Sequence, residues 1–450
     1  MIWAKRLRLW RGAAAACGLS VEGTSSVWTW RLQLRARAGP VEVRIEGAQP
    51  GNVGTRIVIV APWPPGFSEV RIRPDKLFKL REPDALGIST GDSAFDQAFI
   101  VEGPLRLIGG LLDAEARRLL LDLNNKSLVV IAHGELRAEI FDHQLSSVLP
   151  LLLALGRRFA QKTDIVNCLV ENLRRDPKAG VRLNNLLLLV HECAWGPKTE
   201  EALRIACSDR SSQVRLRAAI EMGPEGRGAL LKLAESMKTD DCAAQAIRML
   251  GRALTFERTT AILDQALTKN RLQTARACLE ALGHSGTAEA VDALVEVVEE
   301  DGKLADAAAL ALGMTGSPAA EPPLIEILHS KGKRMILHQA AAKALGRVGS
   351  VVAVLPLKEA SERFPRDPYF VQVARQSIAE IQSRLPGATP GELSLAGAET
   401  GQLSLAQAET GQLSLASDPT GQLSLTAEEP GQLSLSGDEE SPQPAPEHTR

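Results

Sequence analysis

Aromatic side chains are scarce in this chain of 450 residues. They make up 4% of the composition, with one Tyr, nine Phe and six Trp, whereas 44% of the residues are hydrophobic. A chain with so few aromatic rings must build its cores from Leu, Ala and Val, which favours layers of helix packed on helix. The length also exceeds that of one ordinary domain.

A net charge of one sign is also absent. The chain has 52 Lys and Arg against 54 Asp and Glu, which excludes a surface that is basic throughout and coats nucleic acid. The charge is nevertheless unevenly distributed. Residues 1–81 carry an excess of nine positive charges, residues 82–385 an excess of two negative charges, and residues 386–450 an excess of nine negative charges. The sequence therefore has a basic head and an acidic tail.

Clustered cysteines and long apolar runs are missing as well. The six cysteines form no C-x-x-C pair, so we expect free thiols in a reducing compartment rather than a disulfide framework or a zinc site. The longest apolar runs, 149–155 and 186–190, fall short of the roughly 20 residues that span a bilayer. The apolar run after Arg11 is too short for a secretory signal. These features predict a cytoplasmic protein without a transmembrane segment.

Residues 27–161 predict a small α+β domain, and residues 1–26 a basic N-terminal arm. Apolar and polar residues alternate here, as is typical of strands, with β-branched or aromatic residues on one face. Turn residues such as Gly39-Pro40 separate the alternating segments. Strands are predicted at 27–35, 41–45, 56–60, 70–73, 127–132 and 135–141. Helical periodicity predicts helices at 114–121 and 144–161.

A Thr-Gly-Asp turn lies inside this domain. Residues 90–101 read TGD-x-x-FD-x-x-F-x-V and resemble a stretch of uncharacterised bacterial domains that have a strand–helix layout. The resemblance covers the α+β domain and implies no known chemistry. Asp92 and Asp96 are candidate metal ligands, but aspartates in a turn more often cap backbone N–H groups. We therefore favour a structural role for both residues.

From residue 163 to residue 385 the pattern changes to a helical repeat. Short segments that contain Leu-Gly, which we call lines, recur at 249–251, 281–286, 311–316 and 344–349. Their first glycines are 32, 30 and 33 residues apart. An Ala-rich stretch precedes each line and an amphipathic stretch follows it, which gives two helices in about 31 residues. A single helical hairpin cannot bury its apolar face, so about seven hairpins are predicted to stack into an α-solenoid.

The small residues of the repeat predict how its helices pack. Alanine lets one helix lie close to the next repeat, while leucine fills the space between hairpins. The glycine of each line is expected to form the left-handed turn that ends the second helix.

With Gln213-Val214-Arg215 and Ala218-Ala219, this region resembles the HEAT-repeat family in its short bacterial form. The resemblance implies an α-solenoid and does not specify a function. Some helical-repeat proteins are enzymes: deoxyhypusine hydroxylase holds iron with several His-Glu dyads, whereas this chain has only His191-Glu192. Bilin-lyase-type proteins share the repeats and remain an alternative.

Residues 386–450 form an acidic low-complexity tail. A Gly-Gln-Leu-Ser-Leu motif, with Glu392 in its first copy, recurs five times over residues 391–440 with a period of ten. Two leucines in ten residues do not offset the entropy of ordering, so we expect disorder in isolation. A partner can take the alternating motif as an added strand. The leucines that would anchor it are Leu393, Leu395, Leu403, Leu405, Leu413, Leu415, Leu423, Leu425, Leu433 and Leu435.

No catalytic constellation and no cofactor site is found in the sequence: it has no Gly-rich phosphate loop, no G-x-S-x-G and no H-E-x-x-H. One candidate binding site is a row of basic residues near the starts of second helices, on the expected concave face. Cations and free N–H groups at such helix ends attract anions, although solvated charge is the simpler interpretation. The residues are Arg215, Arg271, Lys303, Lys333 and Arg334, and the ligand would be an acidic partner or the chain's own tail.

Taken together, these features predict a non-enzymatic scaffold or adaptor for protein–protein interactions, with a repeat surface and a multivalent tail. The alternative is a ligand-binding or catalytic α+β domain that uses the solenoid as an adaptor. Binding of nucleic acid or anionic lipid by the basic head is a third hypothesis. We do not favour it, because Trp28 and Trp30 fit a core better than a stacking platform.

Overall fold

A computed structural model describes residues 2–27, 31–47, 54–75, 87–300 and 302–384. Contacts between residues divide the chain after Ser285 into two compact units. The strands are β1 (Ser20–Val27), β2 (Arg31–Ala38), β3 (Val41–Gly47), β4 (Gly54–Val60), β5 (Arg71–Pro74), β6 (Phe99–Glu102), β7 (Leu128–Ala132) and β8 (Glu135–Phe141). The helices before the repeat are α1 (Ile2–Ala16), α2 (Ser93–Ala98), α3 (Leu105–Leu111), α4 (Ala114–Asn124) and α5 (Leu145–Ala160).

The first unit begins with an antiparallel sheet of eight strands. Their order is β1-β2-β3-β4-β8-β7-β5-β6. Val41, Val43 and Ile45 of β3 are fully buried while the residues between them are partly exposed, as a strand with one covered face requires. Helices α1, α4 and α5 contribute to the same apolar core as this face of the sheet. The predicted Gly39-Pro40 hairpin is present, with Ala38 paired to Val41.

The N-terminal segment differs from the basic arm that was expected over residues 1–26. Its residues form α1 and β1, and Trp10 and Ala14 are fully buried in the core of the sheet. The helix therefore has an apolar face, but the cations between its apolar residues make that face hard to recognise in the sequence. Arg6, for example, donates from Nε to Asp142 Oδ1 at 3.1 Å and lies 5.3 Å from the ring of Trp10.

The single strand expected at 27–35 is also wrong. Two antiparallel strands cover this segment, because β1 ends at Val27 and β2 begins at Arg31, the residue with which Val27 pairs. The apolar–polar alternation of the sequence runs on from residue 27 to residue 35, so alternation alone does not separate the two strands. Trp28 and Trp30 lie outside the described residues.

The other face of the sheet carries charged side chains, and four arginines of the basic head form ion pairs there. The acidic partners of these arginines come mostly from the later strands β6 and β8, beyond the segment that is rich in cations. The pairs are Arg37–Glu22 at 3.3 Å, Arg44–Glu135 at 2.7 Å, Arg56–Glu139 at 2.8 Å and Arg73–Glu102 at 2.6 Å. Three of these glutamates, Glu102, Glu135 and Glu139, lie outside residues 1–81 and offset part of the excess of nine positive charges in that segment.

Seven helical hairpins follow within residues 165–383. In the first unit they are α6 (Ile165–Arg175) with α7 (Ala179–His191), α8 (Pro197–Cys207) with α9 (Ser212–Glu221), α10 (Arg227–Ser236) with α11 (Asp240–Leu250), and α12 (Phe256–Thr268) with α13 (Leu272–Ser285). In the second unit they are α14 (Ala288–Glu299) with α15 (Ala305–Leu312), α16 (Glu321–His329) with α17 (Met335–Val348), and α18 (Val354–Arg363) with α19 (Pro368–Ser383). The predicted fold class, an α-solenoid after a small α+β region, is confirmed.

Alanine occupies the contacts between successive second helices. Helix α11 packs on α13 in the first unit, and α15 packs on α17 and α17 on α19 in the second. Buried alanines supply these surfaces, for example Ala246 and Ala277, both fully buried. No described helix has the length and apolar character that a membrane crossing needs.

The glycines of the repeated lines have two different roles. Gly251, Gly286 and Gly316 have positive φ, as the predicted left-handed turn requires. Gly313 does not: its φ is −65°, and a Cβ there would stand 2.6 Å from the Cα of Ala344. Gly283 and Gly346 lie inside α13 and α17. The expectation that the first glycine of each line makes the turn is therefore wrong for Gly283, Gly313 and Gly346, and at Gly313 the missing side chain lets two helices touch.

Gly313→Ala is expected to destabilise the second unit by about 1–3 kcal/mol, because the new methyl group overlaps the backbone of Ala344. Gly228→Ala is the control: Gly313 directly follows α15 and Gly228 lies in α10, but nothing stands within 4 Å of a Cβ at Gly228. Its replacement should raise stability by about 0.5–1 kcal/mol. Denaturant unfolding of the full chain measures both, and equal effects would contradict the packing role of Gly313.

Candidate functional site

Asp96 organises the Thr-Gly-Asp turn that the sequence singled out. Its carboxylate accepts hydrogen bonds from Thr90 N at 2.9 Å, Thr90 Oγ1 at 2.6 Å and Ser89 Oγ at 2.8 Å. These bonds fix the loop before α2 and use the oxygens that a cation would need. Among the described residues, no group of three or more His, Cys, Asp or Glu is arranged to hold a metal. The structural role predicted for Asp96 fits this geometry.

Asp92 takes part in a buried ion network rather than a ligand site. Its Oδ2 accepts from Arg117 Nε at 3.0 Å, and Arg117 is 2% exposed. The same guanidinium binds both carboxylate oxygens of Asp176, at 3.0 and 3.1 Å, and donates to the carbonyl of Leu112 at 2.7 Å. Asp176 follows α6, so Arg117 joins the α+β region to the first helical hairpin.

Two glycines bring the turn against this hairpin. Gly91 has a φ of +87°, and a Cβ on it would stand 2.4 Å from the carbonyl carbon of Gly180. Gly180 is the second residue of α7, and a Cβ there would meet Gly91 O at the same distance. Backbone therefore touches backbone at this point, which only glycine at both positions permits.

A cleft of about 390 Å³ opens beside this contact, between α3, α7 and the loop at residues 88–90. Most of its walls are apolar. Leu105, at the mouth, is 43% exposed. The apolar lining residues are Ile88, Leu105, Ile108, Leu112, Val181, Leu187 and Leu188, with Gly109 between them. Concave apolar sites of this size are typical places for a ligand or a peptide anchor.

The polar residues of the lining hold the cleft in shape. Asn184 Nδ2 donates to Ser89 O at 3.1 Å, which ties α7 to the loop. Asn185, 1% exposed, donates from Nδ2 to Val181 O at 2.8 Å within α7. The hydroxyl groups of Ser89 and Thr90 are both bound by Asp96. These mutual bonds preorganise the walls, which lowers the cost of binding.

His191 and Glu192 lie at one end of the cleft. The His191 side chain is 51% exposed, and its Nε2 lies 3.5 Å from Glu221 Oε1. Glu221 also pairs with Arg217 at 2.6 Å. His191 is therefore an exposed residue at the edge of the repeat. Elsewhere in the repeat, burial raises the pKa of Cys278 to about 12, so its thiol is not a ready nucleophile.

The predicted row of basic residues lies at or near the starts of second helices, as the sequence placed it. Arg215 donates to Asp209 O at 2.6 Å and to Ser212 Oγ at 3.0 Å, and Arg334 donates to Gly302 O at 2.6 Å. These two guanidiniums bind the protein's own backbone. Arg271 directly precedes α13, and Lys303 and Lys333 lie two residues before the starts of α15 and α17. Binding of an anion by the row stays a prediction, and the ten tail leucines lie outside the described residues.

A second buried ion pair escaped the sequence analysis. Arg182, 2% exposed, donates from Nε to Asp209 Oδ2 at 2.7 Å and from Nη2 to Oδ1 at 2.8 Å, which joins the first hairpin to the next. The sequence does contain a sign of this pair. Val181-Arg182 repeats Val214-Arg215, and each arginine stands six residues after an aspartate, Asp176 in one case and Asp209 in the other.

Arg117→Met is expected to lower the free energy of unfolding by about 3–5 kcal/mol, because it leaves two buried carboxylates without their cation. The neighbouring Arg118→Met is the control, since Arg118 is 58% exposed and pairs only at the surface with Glu115 and Asp122. Its replacement should cost about 0.5 kcal/mol or less. If denaturant unfolding gives the two variants the same stability, the network does not hold the fold.

Asp209→Asn should lower stability at neutral pH and leave it nearly unchanged in acid. Burial raises the pKa of Asp209, but hydrogen bonds from Arg182 and the Ser211 N–H outweigh it and lower the pKa below its ordinary value. A lowered pKa gives stability that is present above about pH 4 and lost as the pH falls through the folded pKa. Melting temperatures of both proteins between pH 7 and pH 3 test this, and a constant difference would contradict it.

Comparison with known proteins identifies the repeat. Residues 274–300 and 304–330 match the family model described as PBS lyase HEAT-like repeat. A solved structure of human deoxyhypusine hydroxylase in complex with glycerol is 17% identical, covering 49% of this chain and 96% of that chain with a TM-score of 0.20. No curated protein matches the chain. The predicted resemblance is confirmed where the family model matches: the chain carries PBS lyase HEAT-like repeats within residues 274–330.

Proposed function

We propose that this protein is a non-enzymatic scaffold or adaptor that binds other proteins. The observation that carries the proposal is the preorganised apolar cleft at the start of a stack of helical hairpins. Its apolar side chains offer contact surface, and the amide groups of Asn184 and Asn185 donate to backbone carbonyls of its own walls. Such a site holds an apolar side chain of a partner with little loss of conformational freedom.

Exposed apolar side chains on the second unit support a binding role for the repeat. The only tyrosine of the chain, Tyr369, is 56% exposed at the start of α19, and Tyr is enriched in protein interfaces. Ile336, near the start of α17, is 52% exposed. Neither side chain is needed to fill a core, so both are available to a partner.

The chemistry of the cleft supports binding rather than catalysis. The carboxylate of Asp96 engages both hydroxyl groups of the lining, and the described hydrogen bonds join neither of them to His191. A nucleophile needs a base within hydrogen-bond reach. The alternative that this protein is an enzyme of the bilin-lyase type stays a prediction.

Protein is the favoured class of partner. The charged face of the sheet pairs its arginines with glutamates, which disfavours binding to nucleic acid or anionic lipid. We also propose that the basic row binds acidic partners. A cytoplasmic location, in which the thiols stay reduced, is part of the same proposal.

A second candidate function is the binding of a small molecule in the α+β region. The size of the cleft favours it, since about 390 Å³ lies within the range of small-ligand sites. Native mass spectrometry of the purified protein separates the two functions. A bound small molecule that is lost when the cleft is altered favours the second.

Leu105→Glu should abolish capture of partners through the cleft, because a charge at the apolar mouth must be desolvated on binding. Leu267→Glu is the matched control, since Leu267 is 44% exposed in α12 and does not line the cleft. Affinity capture from native lysate followed by quantitative mass spectrometry compares both with the wild type. We expect at least tenfold less of the specific partners with Leu105→Glu only. Equal capture by all three proteins would show that the cleft does not bind the partners.

A further inference from the structure

The cleft selects a neutral and apolar occupant. Its lining contains no lysine, arginine or aspartate, and its charged or titratable members are His191 and Glu192, both exposed at one end. An anionic group would therefore find no cation inside the walls. The lining also holds the polar residues Ser89, Thr90, Asn184 and Asn185, and Asn185 Oδ1 is buried without a hydrogen-bond partner. An uncharged side chain enters this cleft at a lower desolvation cost than a charged one.

The dimensions of the cleft suit a short segment of extended chain. A volume of about 390 Å³ is near the low end of the range for small-ligand pockets, which is too little for a folded element. It has room for a few apolar side chains. Successive side chains of an extended chain alternate in direction, so residues two apart point to the same side.

The tail of the chain, which lies outside the described residues, repeats a short segment with two apolar residues and no charge. Gly401-Gln402-Leu403-Ser404-Leu405 recurs with a period of ten, and its two leucines are two residues apart. The acidic residues of the tail, such as Glu399 and Glu409, stand in the spacers, so four of the five motifs are uncharged. Sequence between motifs varies, while the Leu-Ser-Leu core does not.

We propose that the cleft between α3 and α7 binds the Leu-Ser-Leu motif from the tail of a second copy of this chain. The proposal rests on the binding function assigned to the cleft and names its partner. Both leucines of one motif enter the apolar walls, and the neutral motif keeps the acidic spacers outside.

Five motifs in each chain make the contact with this cleft multivalent. One chain can engage the clefts of several others, because every motif beyond the first is free to bind elsewhere. Linked weak sites strengthen one another through effective concentration, by about 10²–10⁴ over a single site. Weak individual contacts then produce association that rises with concentration.

The test uses the full chain with all ten tail leucines replaced by serine, so that its own tail does not compete. A fluorescent peptide with the sequence of residues 400–406 is titrated against it, and fluorescence anisotropy is measured. We expect saturable binding that falls at least tenfold when the peptide carries Leu403→Ser and Leu405→Ser. Adding Leu105→Glu to the protein should cause a similar loss, whereas adding Leu267→Glu should change binding less than twofold.

Light scattering at increasing concentration gives the second readout. The average mass of the wild-type protein should rise with concentration, and that of the ten-serine variant should not. Absence of saturable peptide binding, binding unaffected by Leu105→Glu, or equal masses for the two proteins would each overturn the inference. Capture of other proteins that is still lost with Leu105→Glu would then leave the proposed scaffold function standing, so the two failures are distinguishable.

Discussion

The first unit depends on a single buried guanidinium. Arg117 is 2% exposed and is neutralised by Asp92 on one side and Asp176 on the other. A buried charge without partners costs several kcal/mol, so each of these residues requires the other two. Because Asp92 belongs to the Thr-Gly-Asp turn and Asp176 to the end of α6, the network makes the sheet and the first helical hairpin parts of one folded body. The expected boundary near residue 162 is therefore not a boundary between compact units.

The features that local patterns determine were predictable. The strand at Glu135–Phe141 and the helical pairs of the repeat follow from periodicities of two and of about 3.6 residues, which a single sequence displays directly. Helix α1 was missed because its buried Trp10 and Ala14 lie among cations whose role appears only when Asp142, far along the chain, is placed beside Arg6. The same limit explains why Arg117 was overlooked, since its partners are 25 and 59 residues away.

The candidate site was predictable only in part. The sequence singled out the Thr-Gly-Asp turn, and a structural role for its aspartates fits the hydrogen bonds of Asp96. The cleft beside the turn could not be foreseen, since α3 and α7 meet only through tertiary packing. The repeated glycines show the same division: positive φ at Gly316 follows from local turn chemistry, but the role of Gly313 depends on Ala344 in another hairpin.

The contact between Gly91 and Gly180 has a consequence for how this site can change over time. The backbones of Gly91 and Gly180 set the closest approach between the turn and α7, so wall residues such as Leu105 and Leu188 are not what keeps the two apart. Substitution of those walls alters which shape fits while the frame around it stays fixed. Selectivity can therefore drift among related chains without disturbing the architecture, as long as both glycines are kept.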